Sequence, residues 1–199
     1  MSILIKICGI ADADGADAAM EAGVDAVGFV FSPSPRRVTP LQAAGLSSRI
    51  GDEVLKVAVF ARPDATEVER VLADFVPDVV QADHESRRVV PRSIRFLPVV
   101  HQGREADEPP AEWFLFDSAR SGTGELTDWD QAAVLAASGR LILAGGLNPG
   151  NVAQAIRSVR PFGVDVSSGV ERERGTKDPK LIASFVAAVR AAEMEPARP

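Results

Sequence analysis

The sequence predicts an α/β fold, a single-domain (β/α)8 barrel over residues 1–199, on three observations. Short, near-continuous apolar runs rich in Val, Ile, Leu and Phe recur eight times, as expected of strands covered on both faces of a parallel sheet. Ala-rich segments with helical spacing follow most of them. Strand–helix alternation implies parallel strands joined by right-handed crossovers, and eight such units can close into a barrel. An open doubly wound sheet is the competing arrangement. A chain of 199 residues suits one domain, with the barrel at the small end of its size range.

Residues 3–8 read as the first strand, and a helix over 12–22 follows, with Asp12 as N-cap and Gly23 just past its end. The second strand is 25–31. Its helix, 40–50, has Thr39 as N-cap and Pro40 in the first turn, where an N–H would have no helical partner anyway. Residues 54–60 and 64–75 make the third unit. The fourth strand, 78–81, is short, and Pro91 within 85–93 keeps any helix after it short. Residues 96–100 and 113–116 are the fifth and sixth strands. Between them, 102–112 hold Pro109-Pro110 and few apolar residues, so a loop is expected in place of a helix. Residues 141–144 and 163–166 complete the eight strands, helices cover 128–137, 149–159 and 179–193, and the tail 193–199 is expected to fray.

Composition excludes several function classes. Hydrophobic residues make up 46% and charged residues 25%, an ordinary globular balance. The net charge of −6 argues against a nucleic-acid surface. The only cysteine is Cys8, so no disulfide forms within the chain and a reducing compartment fits. The N-terminal apolar run is too short for a secretory signal, and no stretch approaches the roughly 20 apolar residues of a membrane span. A soluble cytoplasmic protein is expected, with a small-molecule substrate and no membrane, nucleic acid or obligate protein partner.

In a barrel of this kind, chemistry sits at the C-terminal ends of the strands. Cys8 ends the first strand and Asp117 the sixth. Gly145-Gly146 follow the seventh, and Ser167-Ser168-Gly169 follow the eighth. The last two motifs occupy the usual phosphate position, where glycines let backbone N–H groups approach an anion. Either motif alone would read as a tight turn; two at consecutive strand ends favour a phosphate cradle. Cys8 by itself reads equally as a small buried hydrophobe, and Asp117 as a turn-former. Facing one mouth, a thiolate base and a carboxylic acid suit proton shuttling.

Lys6 shares the face of Cys8, two residues on, and so points into the barrel, where an unpaired ammonium is costly. Closure would bring Asp165 of the eighth strand beside it, and an ion pair between the two is expected. Arg36 and Arg37 lie in the loop after the second strand, and two guanidinium groups over the mouth can clamp a carboxylate. His84 and His101 are the only histidines, and no metal-ligand spacing, Walker motif or dinucleotide fingerprint is present. No metal and no cofactor are expected. Gly122-Thr123-Gly124 suits a mobile loop after the sixth strand.

In order along the chain, Lys6-Ile7-Cys8-Gly9-Ile10, Ala26-Val27-Gly28-Phe29-Val30-Phe31 and Ser34-Pro35-Arg36-Arg37-Val38-Thr39 are followed by Val57-Ala58-Val59-Phe60 and Asp117-Ser118. Then come Gly122-Thr123-Gly124, Asp128-Trp129, Leu143-Ala144-Gly145-Gly146-Leu147-Asn148-Pro149 and Val164-Asp165-Val166-Ser167-Ser168-Gly169-Val170-Glu171, with Gly175 and Lys177-Asp178 behind. This series resembles the phosphoribosylanthranilate isomerase family of tryptophan biosynthesis, a TIM-barrel family, over nearly the whole chain.

The resemblance implies a cofactor-independent Amadori rearrangement of a phosphoribosyl anthranilate into a 1-amino-1-deoxyketose. It implies Asp117 as the general acid that opens the ring and Cys8 as the general base at C2′. It also implies Arg36, rather than Arg37, as the ligand of the anthranilate carboxylate, and Gly145, Gly146, Ser167, Ser168 and Gly169 as the phosphate cradle. One departure stands out: the family usually reads Gln-Leu-His-Gly after the fourth strand, where this chain has Gln81-Ala82-Asp83-His84. The strand 6 loop also lacks a glycine common in the family. Two other readings remain. A related aminoaldose isomerase of histidine biosynthesis would carry an Asp where Cys8 ends the first strand. A degenerate barrel could hold a sugar phosphate without turnover, though Cys8 and Asp117 are both retained.

Overall fold

The computed structural model describes residues 2–103, 113–120 and 122–194. Eight parallel strands close into a barrel in sequence order: β1 (Leu4–Cys8), β2 (Ala26–Val30), β3 (Leu55–Val59), β4 (Val79–Asp83), β5 (Arg95–His101), β6 (Trp113–Asp117), β7 (Arg140–Leu143) and β8 (Gly163–Val166). Closure is made by β1 against β8, with Lys6 opposite Asp165. The open doubly wound alternative is thereby excluded.

Six α-helices lie among the described residues: α1 (Ala13–Ala22), α2 (Pro40–Ser47), α3 (Ala65–Asp74), α4 (Trp129–Ala136), α5 (Val152–Val159) and α6 (Pro179–Glu193). Most begin on a side chain that satisfies a free backbone N–H. Asp12 accepts from Gly15, Asp128 from Asp130 and Gln131, and Asp178 from Lys180 and Leu181. Thr39 with Gln42, and Asp64 with Glu67, form reciprocal capping boxes. Gly23 ends α1 at φ 72°, a left-handed turn that favours glycine.

The departures from expectation have local causes. Helix α2 stops at Ser47 rather than at 50, where the Ser47 and Ser48 hydroxyls donate back to the carbonyls of Ala44 and Gly45. Helix α5 starts at Val152 rather than at 149, because Asn148 and Asn151 tie residues 148–151 into a turn instead. The fourth connection is a 3₁₀ helix, His84–Val89, ending before Pro91. Strand β4 runs on to Asp83 and β5 to His101, both beyond their expected ends. After β8 a 3₁₀ turn (Ser168–Val170) leads into an unforeseen antiparallel hairpin of β9 (Glu171–Glu173) and β10 (Thr176–Lys177). Residues 104–112 of the expected loop and 195–199 of the expected frayed tail lie outside the described residues.

Strand alternation divides the core in two. Ile5, Ile7, Val27, Val80, Phe114, Leu141 and Val164 belong to the larger apolar cluster, shared with helix residues such as Ala19, Val71 and Phe185. Ala26, Val57, Val79, Leu97, Leu115 and Ile142 fill the barrel interior. Lys6 and Asp165 occupy interior positions as well, and Cys8, Asp83 and Asp117 stand at the strand ends above them. Among the described residues, no helix is long and apolar enough to cross a membrane.

Candidate active site

Strand β1 delivers two polar groups to the interior. Lys6 Nζ donates to Asp165 Oδ1 at 2.8 Å, and the Lys6 side chain is 1% exposed. The expected ion pair therefore forms. Burial works to lower the Lys6 pKa, but the charges on Asp165 and Cys8 outweigh it and hold the ammonium above its ordinary value. Two residues on, Cys8 is buried opposite Gly28, where an added Cβ would stand 3.1 Å from its sulfur. Burial pushes the Cys8 thiol up; Lys6 and Lys177 pull it back down without cancelling the effect. Such a thiolate is scarce at neutral pH, but a strong base once formed.

The loop after β2 buries Arg36 and leaves Arg37 exposed. Arg36 Nε donates to Glu171 Oε1 at 2.6 Å and Nη2 to Oε2 at 2.9 Å, a two-point guanidinium–carboxylate bond. Its Nη1 turns toward the Gly122 carbonyl at 3.4 Å. Gly9, at φ 79°, makes room for it: a Cβ there would lie 2.5 Å from Arg36 Cδ. Arg37 lines a separate groove with Leu41, Arg70 and Asp74, on the α2–α3 side. Lys177 Nζ completes the cluster, donating to Glu171 Oε1 at 2.8 Å and to the Ser167 carbonyl at 3.0 Å. Burial works upward on Glu171, but hydrogen bonds from Arg36 and Lys177 carry its pKa down to about 2. Burial holds Lys177 below the ordinary lysine value despite the attraction of Glu171.

Asp117 ends β6, where its Oδ1 accepts from the Ser118 N–H at 2.8 Å. It is 8% exposed, as is Cys8, and the two strand ends are separated by β7 and β8 on the shorter way round the barrel. Between them lie the two glycine motifs. Gly145 and Gly146 adopt φ 86° and 65°. A Cβ on Gly145 would fall 1.9 Å from Thr127 Oγ1, and one on Gly169 would fall 1.9 Å from the Leu147 carbonyl. The loops after β7 and β8 thus pack backbone to backbone, bringing Gly145, Gly146, Ser167, Ser168 and Gly169 to one side of the mouth. Gly124 of the strand 6 loop lies against Ser168, while Gly122 reaches Arg36.

Several polar groups here had no role assigned from sequence. Glu171 and Lys177 occur in recognisable motifs, but their meeting depends on the β9–β10 hairpin. Gln81 points inward from β4, and its buried Oε1 has no hydrogen-bond partner among the described residues. His101 Nε2 lies 3.0 Å from Asp83 Oδ1, and its Nδ1 lies 3.3 Å from the Ser118 carbonyl. Longer β4 and β5 strands than expected are what bring these two side chains to the mouth. Among the described residues, no group of three or more His, Cys, Asp or Glu side chains could hold a metal ion.

The family model for N-(5'phosphoribosyl)anthranilate (PRA) isomerase matches residues 5–188. An N-(5'-phosphoribosyl)anthranilate isomerase of Desulforudis audaxviator is 41% identical, over 95% of this chain and 98% of its own length. The phosphoribosyl anthranilate isomerase crystal structure from Thermus thermophilus superposes with a TM-score of 0.86 at 31% identity, covering 95% of this chain and 99% of that one. A further isomerase structure, solved with reduced 1-(o-carboxyphenylamino)-1-deoxyribulose 5-phosphate, gives a TM-score of 0.80 at 31% identity, with the same two coverages.

Proposed function

Because the chain belongs to the N-(5'-phosphoribosyl)anthranilate isomerase family, we propose that its barrel mouth performs the rearrangement with Asp117 as general acid and Cys8 as general base. The protein is an isomerase of tryptophan biosynthesis. What carries the division of labour is the placement of Cys8 and Asp117, two buried proton-transfer groups at the ends of β1 and β6, facing one mouth.

The substrate phosphate sits against the backbone of Gly145, Gly146, Ser167, Ser168 and Gly169. Its anthranilate carboxylate meets Arg36, which Glu171 holds by one edge of the guanidinium, leaving Nη1 on the other side. Asp117 protonates the furanose ring oxygen, the C1′–O4′ bond breaks, and a Schiff base forms at C1′. Cys8 thiolate then takes the C2′ proton, and the electron pair moves to neutralise the iminium nitrogen. Tautomerisation of the resulting enol-amine gives the C2′ ketone. The overall change is an isomerisation, so neither oxidant nor reductant is consumed, and no cofactor is assigned.

Lys6 and Lys177 both favour the thiolate electrostatically, which gives a buried cysteine access to its basic form. This reading treats residues 1–199 as one catalytic domain that needs no partner protein and works in the cytoplasm, where a lone thiol stays reduced.

The decisive assay follows the loss of phosphoribosyl anthranilate fluorescence with purified protein. Turnover is expected; its absence in the wild-type protein would refute the isomerase assignment.

A further inference from the structure

We propose that His101 is a positioning residue for Asp117, acting through the backbone of Ser118 and itself aimed by Asp83. The proposal rests on the reading of Asp117 as the general acid.

The argument starts from register. His101 and Asp117 are paired residues at the ends of β5 and β6, and the Gln102 N–H donates to the Asp117 carbonyl at 2.9 Å. The next residue, Ser118, is buried and handles both ends of the relationship. Its N–H donates to Asp117 Oδ1 at 2.8 Å, while its carbonyl faces His101 Nδ1 at 3.3 Å. Turning the Ser118 backbone therefore moves the N–H that holds the Asp117 carboxylate. On the other side of the ring, Nε2 meets Asp83 Oδ1 at 3.0 Å. Asp83 is 8% exposed at the end of β4, with Arg62 Nε 3.8 Å from its other oxygen.

The imidazole lies between a carboxylate oxygen and a backbone carbonyl, one at each ring nitrogen. Through these two contacts the ring bridges β4 to the turn after β6, and braces the end of the strand that bears the acid.

The two ring nitrogens can be replaced one at a time. In His101→Asn the amide nitrogen takes the place of Nδ1 and keeps the bond to Ser118. In His101→Gln it takes the place of Nε2 and keeps only the bond to Asp83. A displacement of about 1 Å at a reacting group can cost about 10²-fold in rate. His101→Gln is therefore expected to lower kcat by about tenfold or more with KM within about twofold, whereas His101→Asn keeps kcat within about threefold of wild type. Asp83→Leu, which frees the ring on its Nε2 side, is expected to lose kcat as His101→Gln does.

Adding His101→Gln to Asp117→Asn should cost nothing further, since the histidine acts through the carboxylate. Equal losses in His101→Asn and His101→Gln, a loss carried by KM, full kcat in Asp83→Leu, or an undiminished cost in the Asp117→Asn background would each overturn the proposal. Near-normal activity of Asp117→Asn alone is a separate result: it removes the acid assignment first, and the role of His101 with it.

Discussion

Glu171 grips Arg36 with both carboxylate oxygens, at 2.6 Å to Nε and 2.9 Å to Nη2, and shares Oε1 with Lys177. A hairpin residue after β8 thereby orients an arginine from the loop after β2. Removing one member of a buried charged pair leaves the other uncompensated, at a cost of about 3–5 kcal/mol. Glu171→Ala should lower the unfolding free energy by an amount of that order and raise KM, measured by denaturant titration and by steady-state kinetics.

The same contact makes a pH prediction. Glu171 has its pKa lowered from 4.5 to about 2 in the folded chain, so the unfolded chain binds the proton more readily. Its contribution to stability is present in full above about pH 4.5 and is lost as pH falls toward 2. Melting temperatures of the wild type should drop across that window, and the drop should be shallower for Glu171→Gln.

Cys8→Ala and Asp117→Asn are each expected to reduce kcat by about 10²–10⁴-fold, the usual worth of a general acid or base. Near-normal turnover in either variant removes that residue from its role. Burial raises the Cys8 pKa above its ordinary value, so in Asp117→Asn, where the acid no longer ionises, the residual kcat/KM should climb with pH into the alkaline range. A residual profile of that variant that levels off near neutrality would contradict a thiolate base.

For the two arginines, burial distinguishes the outcomes. Arg36→Ala removes the guanidinium at the mouth and is expected to raise KM about tenfold or more, as loss of a charged hydrogen bond of about 1.5–3 kcal/mol implies. Arg37→Ala changes an exposed side chain in the groove on the α2–α3 side and should have a milder effect. The reverse order would assign the carboxylate to Arg37.

Gly169→Ala tests the phosphate cradle. Its Cβ would collide with the Leu147 carbonyl at 1.9 Å, so the loops after β7 and β8 must separate. Competitive inhibition by inorganic phosphate should weaken in this variant; unchanged inhibition would place the phosphate elsewhere.

The alternation of apolar runs and helical segments was enough to predict eight strands and their order, because burial on both faces imposes a readable pattern on a parallel sheet. Helix starts at Asp12 and Thr39 were legible for a similar reason: a cap acts within three residues of its own position. The Lys6–Asp165 pair also followed from local information, since strand alternation put both groups inside and closure put their strands side by side.

Other relationships were decided only by tertiary structure. Arg36 and Glu171 are 135 positions apart, and Asp83 and His101 come from strands whose ends ran further than their apolar runs suggested. A polar residue at a strand end carries no hydrophobic signal, so its inclusion depends on the neighbouring strand offering a backbone partner. By itself the sequence determined the barrel, the strand ends and the residue types that arrive there. The packed barrel decided which of those charges face one another, because contacts across a mouth depend on the geometry of closure rather than on spacing along the chain.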